Sequence, residues 1–332
     1  MSKDKLTYSK SGVDINAEEE AIKKLSDQII FRRRGFGAPL TDIGHYAGLI
    51  DFGDVAIALT TDGVGSKVII ASEMKRWNTI GIDCIAMNVN DLIAIGVEPL
   101  AFVDYLAMEV PDEKITVQIG EGLAKGAELA NISIVGGETA TLPEIVNGFD
   151  LAGTAVGWVK KDEIIGGEKI KIGDKVLGLA SSGIHSNGLT LARKVIERSH
   201  KYSEPCPFDP EKSLGDELLT PTKIYIEVLD LIKEFEVHGL AHITGSGLLK
   251  LKRITDYGFD FTDPLEPQDI FKFIQKEGDI DDLEMYRTFN MGMGFLVVLP
   301  ESEAKRAKDL ACGKIVGEII EDGIFVGDLK IV

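Results

Sequence analysis

The chain has 332 residues, 44% of them hydrophobic, which is enough to fill two cores rather than one. Its 54 acidic side chains outweigh 36 basic ones, and the formal charge of -18 disfavours nucleic acid and anionic membrane surfaces as partners. A small phosphorylated ligand stays admissible, because a divalent cation can bridge phosphates to carboxylates. Cys84, Cys206 and Cys312 are far apart and form no CxxC pair, so a reducing compartment is the simpler reading. The opening MSKDKLTYSK lacks the apolar core of a signal peptide, and no apolar run approaches the roughly twenty residues of a membrane span. A cytoplasmic protein is expected.

From Asn16 onward Ala21, Ile22, Leu25, Ile29 and Ile30 recur at helical spacing, predicting an amphipathic first helix ended by Gly35 and Gly37. Strand-length apolar runs follow at 55–60, 99–108 and 132–135, with helical patterns at 84–95 and 113–130 between them. The charged stretch DEIIGGEKIKIGD, 162–174, reads as a connector and places a seam near residue 165, dividing the chain into 1–165 and 166–332. Beyond it the spacing predicts a strand over 175–180, a helix after Asn187, a proline-rich loop over 202–210 and a helix over 221–235. A strand near 237–243, a strand over 294–299, a helix over 301–311 and a strand over 314–320 complete the alternation. No short-period repeat is present.

Several loops carry groups suited to phosphate chemistry. Thr60-Thr61-Asp62-Gly63-Val64-Gly65-Ser66-Lys67 leaves a strand and joins a carboxylate, an ammonium and two glycines. It fits neither the P-loop nor the dinucleotide fingerprint, and reads either as a metal- and phosphate-holding turn or as an ordinary strand-to-helix turn. Asp83, Asn90 and Asp91 fall on the next helix, 83 and 90 sharing a face; they could hold cations along a triphosphate, or Asp83 could simply cap the helix. Asp104 sits among apolar strand neighbours, so its carboxylate needs a partner. Gly136-Gly137-Glu138-Thr139 follows ISIV, which puts Glu138 at a strand's carboxyl end, where open sheets bind ligands.

Ser181-Ser182-Gly183-Ile184-His185-Ser186-Asn187-Gly188 precedes a helix with Asn187 as its natural N-cap, and reads either as a phosphate cradle with His185 exchanging protons near neutral pH or as a capped turn. A second such loop, His242-Ile243-Thr244-Gly245-Ser246-Gly247, strengthens a shared anion pocket. His238 and His242 are spread over ~13 Å if they lie in a strand, which rejects a zinc site. Arg32-Arg33-Arg34 reads either as a wet helix face or as part of a flap over phosphates.

In order, the segments YSKSGVDI, TTDGVGSK, TIGIDCIAMNVNDL, GVEPLAFVDYLA, IVGGETA, SSGIHSNGL, LLTPTKIY, VHGLAHITGSG and MYRTFNMGMG span nearly the whole chain. Together they resemble the phosphoribosylformylglycinamidine cyclo-ligase family, the aminoimidazole ribonucleotide synthetases. Three departures stand out: Ser246 replaces a glycine, Thr141-Leu142-Pro143 replaces an acidic residue and methionine, and neither Lys23 nor Lys24 clearly matches the family's lysine.

The resemblance implies an α/β (α+β) subunit of two domains, the first dimerising through its strands into a β-barrel and the second an α/β/α layered domain. It implies ATP and Mg²⁺ as cofactors, with the metal on Asp62, Asp83, Asp91 and Glu138, and the nucleotide also near Gly63, Gly65, Lys67, Asn90 and Thr139. Formylglycinamidine ribonucleotide would lie against His185, Ser186, Asn187, His242, Thr244, Gly245 and Gly247. Asp62, Lys67 and His185 would be catalytic, in a homodimer that closes the imidazole ring of the purine precursor. Relatives of that fold include thiamine-monophosphate kinase, selenophosphate synthetase and a hydrogenase-maturation dehydratase. The last two depend on a cysteine near one end of the chain, whereas Cys84 comes first here and the chain ends Lys330-Ile331-Val332.

Overall fold

The computed structural model describes Tyr8, Ser11, Gly12, residues 15–44 and residues 46–332; Ser9, Lys10, Val13 and Asp14 of the YSKSGVDI segment lie outside it, as does the stretch before Tyr8. The first unit runs α1 (Ile15–Ser26), β1 (Gly48–Phe52), β2 (Val55–Gly63), α2 (Lys67–Met74), α3 (Ile80–Ile93), β3 (Glu98–Met108), α4 (Glu113–Ala130), β4 (Ser133–Thr141) and β5 (Phe149–Lys160). The second runs β6 (Lys175–Ala180), α5 (Leu189–Glu197), β7 (Pro205–Cys206), β8 (Asp209–Ser213), α6 (Leu214–Leu218), α7 (Val228–Glu234), β9 (Gly239–His242) and β10 (Gly258–Phe261). It continues with α8 (Asp269–Gly278), α9 (Asp282–Thr288), β11 (Met293–Leu299), α10 (Glu301–Leu310), β12 (Lys314–Ile320), β13 (Ile324–Val326) and β14 (Leu329–Lys330).

The first sheet is five-stranded in the order β1-β2-β5-β3-β4, and the second is seven-stranded in the order β14-β13-β10-β12-β6-β11-β9. Both mix parallel and antiparallel pairs, giving the mixed α/β character expected. One face of the first sheet is covered by α3 and α4, whose Ile85, Val89, Leu92 and Ile119 are buried with Phe102, Leu151 and Ala155 beneath them. The two helices approach so closely that a Cβ on Gly81 would fall 2.1 Å from the Leu123 nitrogen, so only glycine fits there. The other face is left open: Leu59, Val103 and Tyr105 are exposed on it, and the edge strand β4 is exposed along nearly its whole length.

Register fixes which carboxylates share a face. Asp62 pairs with Gly153, Gly153 with Asp104 and Asp104 with Gly137, so Asp62 and Asp104 point to the helix-covered side. The next row, Gly63, Ala152, Tyr105 and Glu138, points to the open side. Asp104 leans over Gly137, where an added Cβ would meet its Oδ1 at 2.4 Å.

Helix α4 occupies the predicted range, its N-cap Asp112 accepting from the backbone of Lys114 and Ile115. Other elements differ for identifiable reasons. α1 ends at Ser26, well short of Gly35, with Ile22 and Leu25 exposed; without a packed apolar face nothing propagates it through Ile29 and Ile30. The stretch 221–227 is not helical, because its backbone groups bond to α3 instead of to one another. β2 continues through Asp62 to Gly63, and β4 through Glu138 and Thr139 to Thr141, so these are strand residues rather than turn residues. A short β7-β8 hairpin forms where a plain loop was expected.

Candidate active site at the domain junction

The amino half of α3 carries the centre of the site. Asp83 is fully buried, and its Oδ1 accepts from Lys67 Nζ at 2.8 Å, the Thr222 backbone N–H at 2.7 Å, Thr222 Oγ1 at 2.7 Å and Ser186 Oγ at 3.1 Å. Its Oδ2 is buried with no protein partner. Asp83 lies in the first turn of α3 rather than at its N-cap, which is Thr79. Lys67 is equally buried and also donates to the Thr220 carbonyl at 2.7 Å. Burial pulls its ammonium below the usual lysine range, although Asp83 opposes the shift.

Two turns along α3, Asn90 Nδ2 donates to the Lys223 carbonyl at 2.8 Å and faces His242 Nε2 at 3.4 Å, while its Oδ1 accepts from the Tyr225 backbone N–H at 3.0 Å. His242 Nδ1 lies 2.9 Å from Asp91 Oδ1. These partners place the His242 proton on Nδ1 and leave Nε2 to accept from Asn90. His242 thus orients Asp91. Asp91 in turn acts on Asp62, whose carboxyl is raised above the usual aspartate range first by burial and then by the charge of Asp91, with the Gly63 N–H on its Oδ1 at 2.7 Å opposing. A buried carboxyl raised by the charge of a neighbouring carboxylate marks a place that favours a cation between the two.

His185 is 2% exposed and has a positive φ of 65°. Its Nε2 accepts from the Ser182 backbone N–H at 3.1 Å, which puts its proton on Nδ1, and Nδ1 is buried without a partner. Burial first, then the nearby His242, Lys67 and Lys223, push the imidazole well below the usual histidine range. Proton exchange near neutral pH, expected from the sequence, does not fit this setting; His185 is placed as a neutral N–H donor. Asn187 is not the N-cap of α5, a place taken by Gly188; its Nδ2 faces the Met87 sulphur at 3.6 Å, and its Oδ1 sits 3.1 Å from where a Cβ of Gly245 would be. Thr244 is buried in the same loop, and Ser246 and Gly247 are both left-handed, with φ of 74° and 48°. A Cβ at Gly247 would lie 2.1 Å from the Tyr286 carbonyl oxygen.

The structure therefore gathers Asp62, Lys67, Asp83, Asn90 and Asp91 of the first unit with His185, Ser186 and His242 of the second. Gly63 ends β2 and Gly65 lies in the turn after it, where a φ of 69° suits glycine. Glu138 is not brought to this group, since it faces the opposite side of the sheet, and Thr139 lies on the exposed edge strand beside it. His238, excluded from a zinc pair, instead bonds Asp174 at 2.6 Å. Arg32 and Arg33 are exposed and bond Asp42 and the Phe36 carbonyl. Residues that sequence reasoning missed are Thr222, Tyr225 and Asn88, whose Nδ2 donates to the Asp62 carbonyl at 3.2 Å. Each was signalled only as part of a whole segment, Thr222 and Tyr225 in LLTPTKIY and Asn88 in TIGIDCIAMNVNDL.

The fold and this junction define the two-domain class of AIR synthase related proteins: the N-terminal domain model of that family matches residues 44–159 and the C-terminal domain model residues 171–330. Phosphoribosylformylglycinamidine cyclo-ligase from Methanosarcina barkeri is 67% identical over all of both chains. The protein of that name from Thermococcus kodakarensis is 50% identical over 94% of this chain and 96% of its own. The chain belongs to the phosphoribosylformylglycinamidine cyclo-ligase family. Among solved structures, AaThiL complexed with AMPPCP and TMP has a similar fold, with a TM-score of 0.68 at 16% identity over 94% of each chain. T. maritima PurL complexed with ADP gives a TM-score of 0.58 at 18% identity over 89% of this chain and 45% of that one.

Removing one member of the Lys67–Asp83 pair leaves the other charge buried alone. Asp83→Asn is expected to cost about 3 kcal/mol or more in urea unfolding, and adding Lys67→Met to it should restore part of that loss. For Asp62 the sign is the reverse. A carboxyl whose folded pKa exceeds its unfolded value loses stability as pH rises from the unfolded value through the folded one. Asp62→Asn should therefore raise the thermal midpoint at neutral pH, and the gain should shrink as pH falls into the ordinary aspartate range.

Proposed function

We infer that this chain closes the imidazole ring of aminoimidazole ribonucleotide, converting formylglycinamidine ribonucleotide with ATP hydrolysed to ADP and phosphate, as a step of purine biosynthesis. The observation that carries the reading is the junction itself. An acidic set on β2 and α3 meets two glycine-rich histidine loops of the other unit, in a chain 67% identical from end to end to a cyclo-ligase.

An amide oxygen leaves poorly as oxide, so it has to be phosphorylated first. The γ-phosphoryl group of ATP passes to the formamide oxygen, an amidine nitrogen attacks the activated carbon, and inorganic phosphate departs. Such a transfer depends on positioning and charge neutralisation more than on covalent participation by the protein.

Residues 1–165 take the nucleotide and residues 166–332 the ribonucleotide substrate. The buried, unpartnered Asp83 Oδ2, and Asp62 raised by burial and by the neighbouring charge of Asp91, fit a Mg²⁺ ion, which uses one or two carboxylates and otherwise water and phosphate oxygens. When bound there, Mg²⁺ would supply neutralisation of charge on the transferring phosphoryl group. Gly63, Gly65 and Asn90 bound the nucleotide, and Lys67 acts through Asp83. The 183–188 and 244–247 loops face the substrate through Ser186, Asn187, Thr244, Gly245 and Gly247. His185 offers its Nδ1–H to a developing negative charge, and His242 holds Asp91.

The open face of the first sheet, with Leu59, Val103 and Tyr105 exposed, supports a homodimer closed through these strands. Among the described residues no helix is long and apolar enough to cross a membrane.

With formylglycinamidine ribonucleotide, ATP and Mg²⁺, ADP and the diazotisable aromatic amine should form one for one, and both should vanish on chelation. ADP formed only with thiamine monophosphate would move the chain to another branch of the fold. His185→Ala should lower kcat by about a hundredfold or more, in the ~10²–10³ range seen for loss of a charge-stabilising donor. Val103→Asp should shift the mass measured by light scattering from dimer to monomer; an unchanged dimer would place the interface elsewhere.

A further inference from the structure

The segment Thr220–Tyr225 has no part in the reading above, yet it binds both units at once. Lys67 Nζ donates to the Thr220 carbonyl at 2.7 Å, and Ser182 Oγ of the histidine loop donates to the Pro221 carbonyl at 2.6 Å. Asn90 brackets the far end through the Lys223 carbonyl and the Tyr225 N–H. At the centre Thr222, 1% exposed, donates through both its backbone N–H and its hydroxyl to Asp83 Oδ1, each at 2.7 Å, and its Oγ1 lies 3.0 Å from Ser186 Oγ.

Counting protons decides the direction of this chain. A threonine hydroxyl has one hydrogen, and the short bond to an ionised carboxylate claims it. Thr222 Oγ1 can then only accept from Ser186. The single hydrogen of Ser186 is accordingly shared between Thr222 Oγ1 at 3.0 Å and Asp83 Oδ1 at 3.1 Å, both on the inner side. With its proton drawn inward, the serine has only lone pairs to offer outward. A phosphate oxygen, itself an acceptor, gains nothing from such a group, whereas an O–H or N–H donor does.

We propose that Thr222 is a positioning residue that fixes Ser186 as a hydrogen-bond acceptor, so that Ser186 takes a ribose hydroxyl or amidine N–H of the substrate rather than its phosphate. This rests on the placement of the ribonucleotide against Ser186 given above. Through Asp83 the same threonine ties that acceptor to the nucleotide side of the junction.

Thr222→Val keeps the shape and the backbone bond to Asp83 but removes the relay; Thr222→Ser keeps the relay. Steady-state kinetics on the purified enzyme should show KM for formylglycinamidine ribonucleotide rising about tenfold in Thr222→Val, with KM for ATP changed much less, because a hydrogen bond that orders a charged network is worth roughly that factor. Thr222→Ser should stay within about twofold of the parent, and Ser186→Ala should raise the same KM. The Thr222→Val and Ser186→Ala double variant should be no worse than the weaker single, because both remove one interaction. A thermal midpoint recorded for each variant separates this from loss of fold, and Thr222→Ala carries the comparison should valine not fold. Multiplicative effects in the double variant, equal losses in both KM values, or a serine variant as impaired as valine would overturn the relay. If Ser186→Ala left KM unchanged, the placement of substrate at Ser186 would fail, and the relay with it.

Discussion

A single buried carboxylate organises the molecule. Asp83 stands in a dry interior where an isolated charge would be costly, and one of its oxygens is surrounded by four donors from three separate segments. Lys67 belongs to the first unit; Thr222 and Ser186 belong to the second. Their geometry can be met only if the two units sit in one relative orientation. Apolar packing could hold the units together but would tolerate sliding. A carboxylate with directional donors on both sides does not, which gives a physical reason for spending a buried ion pair here.

Around this anchor the electrostatics are left incomplete in one direction. Asp83 Oδ2 has no protein partner, Asp62 is raised by its own burial and by Asp91, and His242 is committed through Nδ1 to orienting Asp91. A protein of charge -18 that handles phosphorylated ligands needs a cation where phosphate approaches. The acids are close enough to destabilise one another, and among the described residues they form no closed metal cage. That combination suits an ion arriving with its own phosphate ligands better than a resident structural metal.

How much of this was legible in the sequence depended on where each residue's partners lie. Helix α4 was readable because its cap and apolar face are local. The two histidine loops were readable because glycines after a strand announce a turn whatever surrounds it. The stretch 221–227 was misread because its apolar spacing suits a helix while its amides and carbonyls are claimed by Asp83 and Asn90, more than a hundred residues away. Glu138 is set with the other acids by the family resemblance, and the glycines before it suggest a strand's end; Gly137 instead keeps the strand running beneath the Asp104 carboxylate, and the next residue faces outward. Thr222 lay inside a recognised segment, but nothing local distinguishes a threonine that joins two domains from one facing water.

The glycine-rich end of MYRTFNMGMG shows a further reason why motifs and contacts need not coincide. Gly294 would, with a Cβ, come within 1.8 Å of the Tyr225 hydroxyl and 2.9 Å of the His185 ring. Its lack of a side chain lets Tyr225 donate to the Ala180 carbonyl at 3.0 Å and lets the imidazole lie beside that ring. Tyr225 is in turn held by Asn90 through its backbone. The position of His185 is therefore set by a glycine on β11, a tyrosine from the linking segment and an asparagine from the other unit, and neither the glycine nor the tyrosine has to touch a ligand. In such a junction a residue can be indispensable through the space it leaves, and the chemistry of the site extends to side chains that are absent.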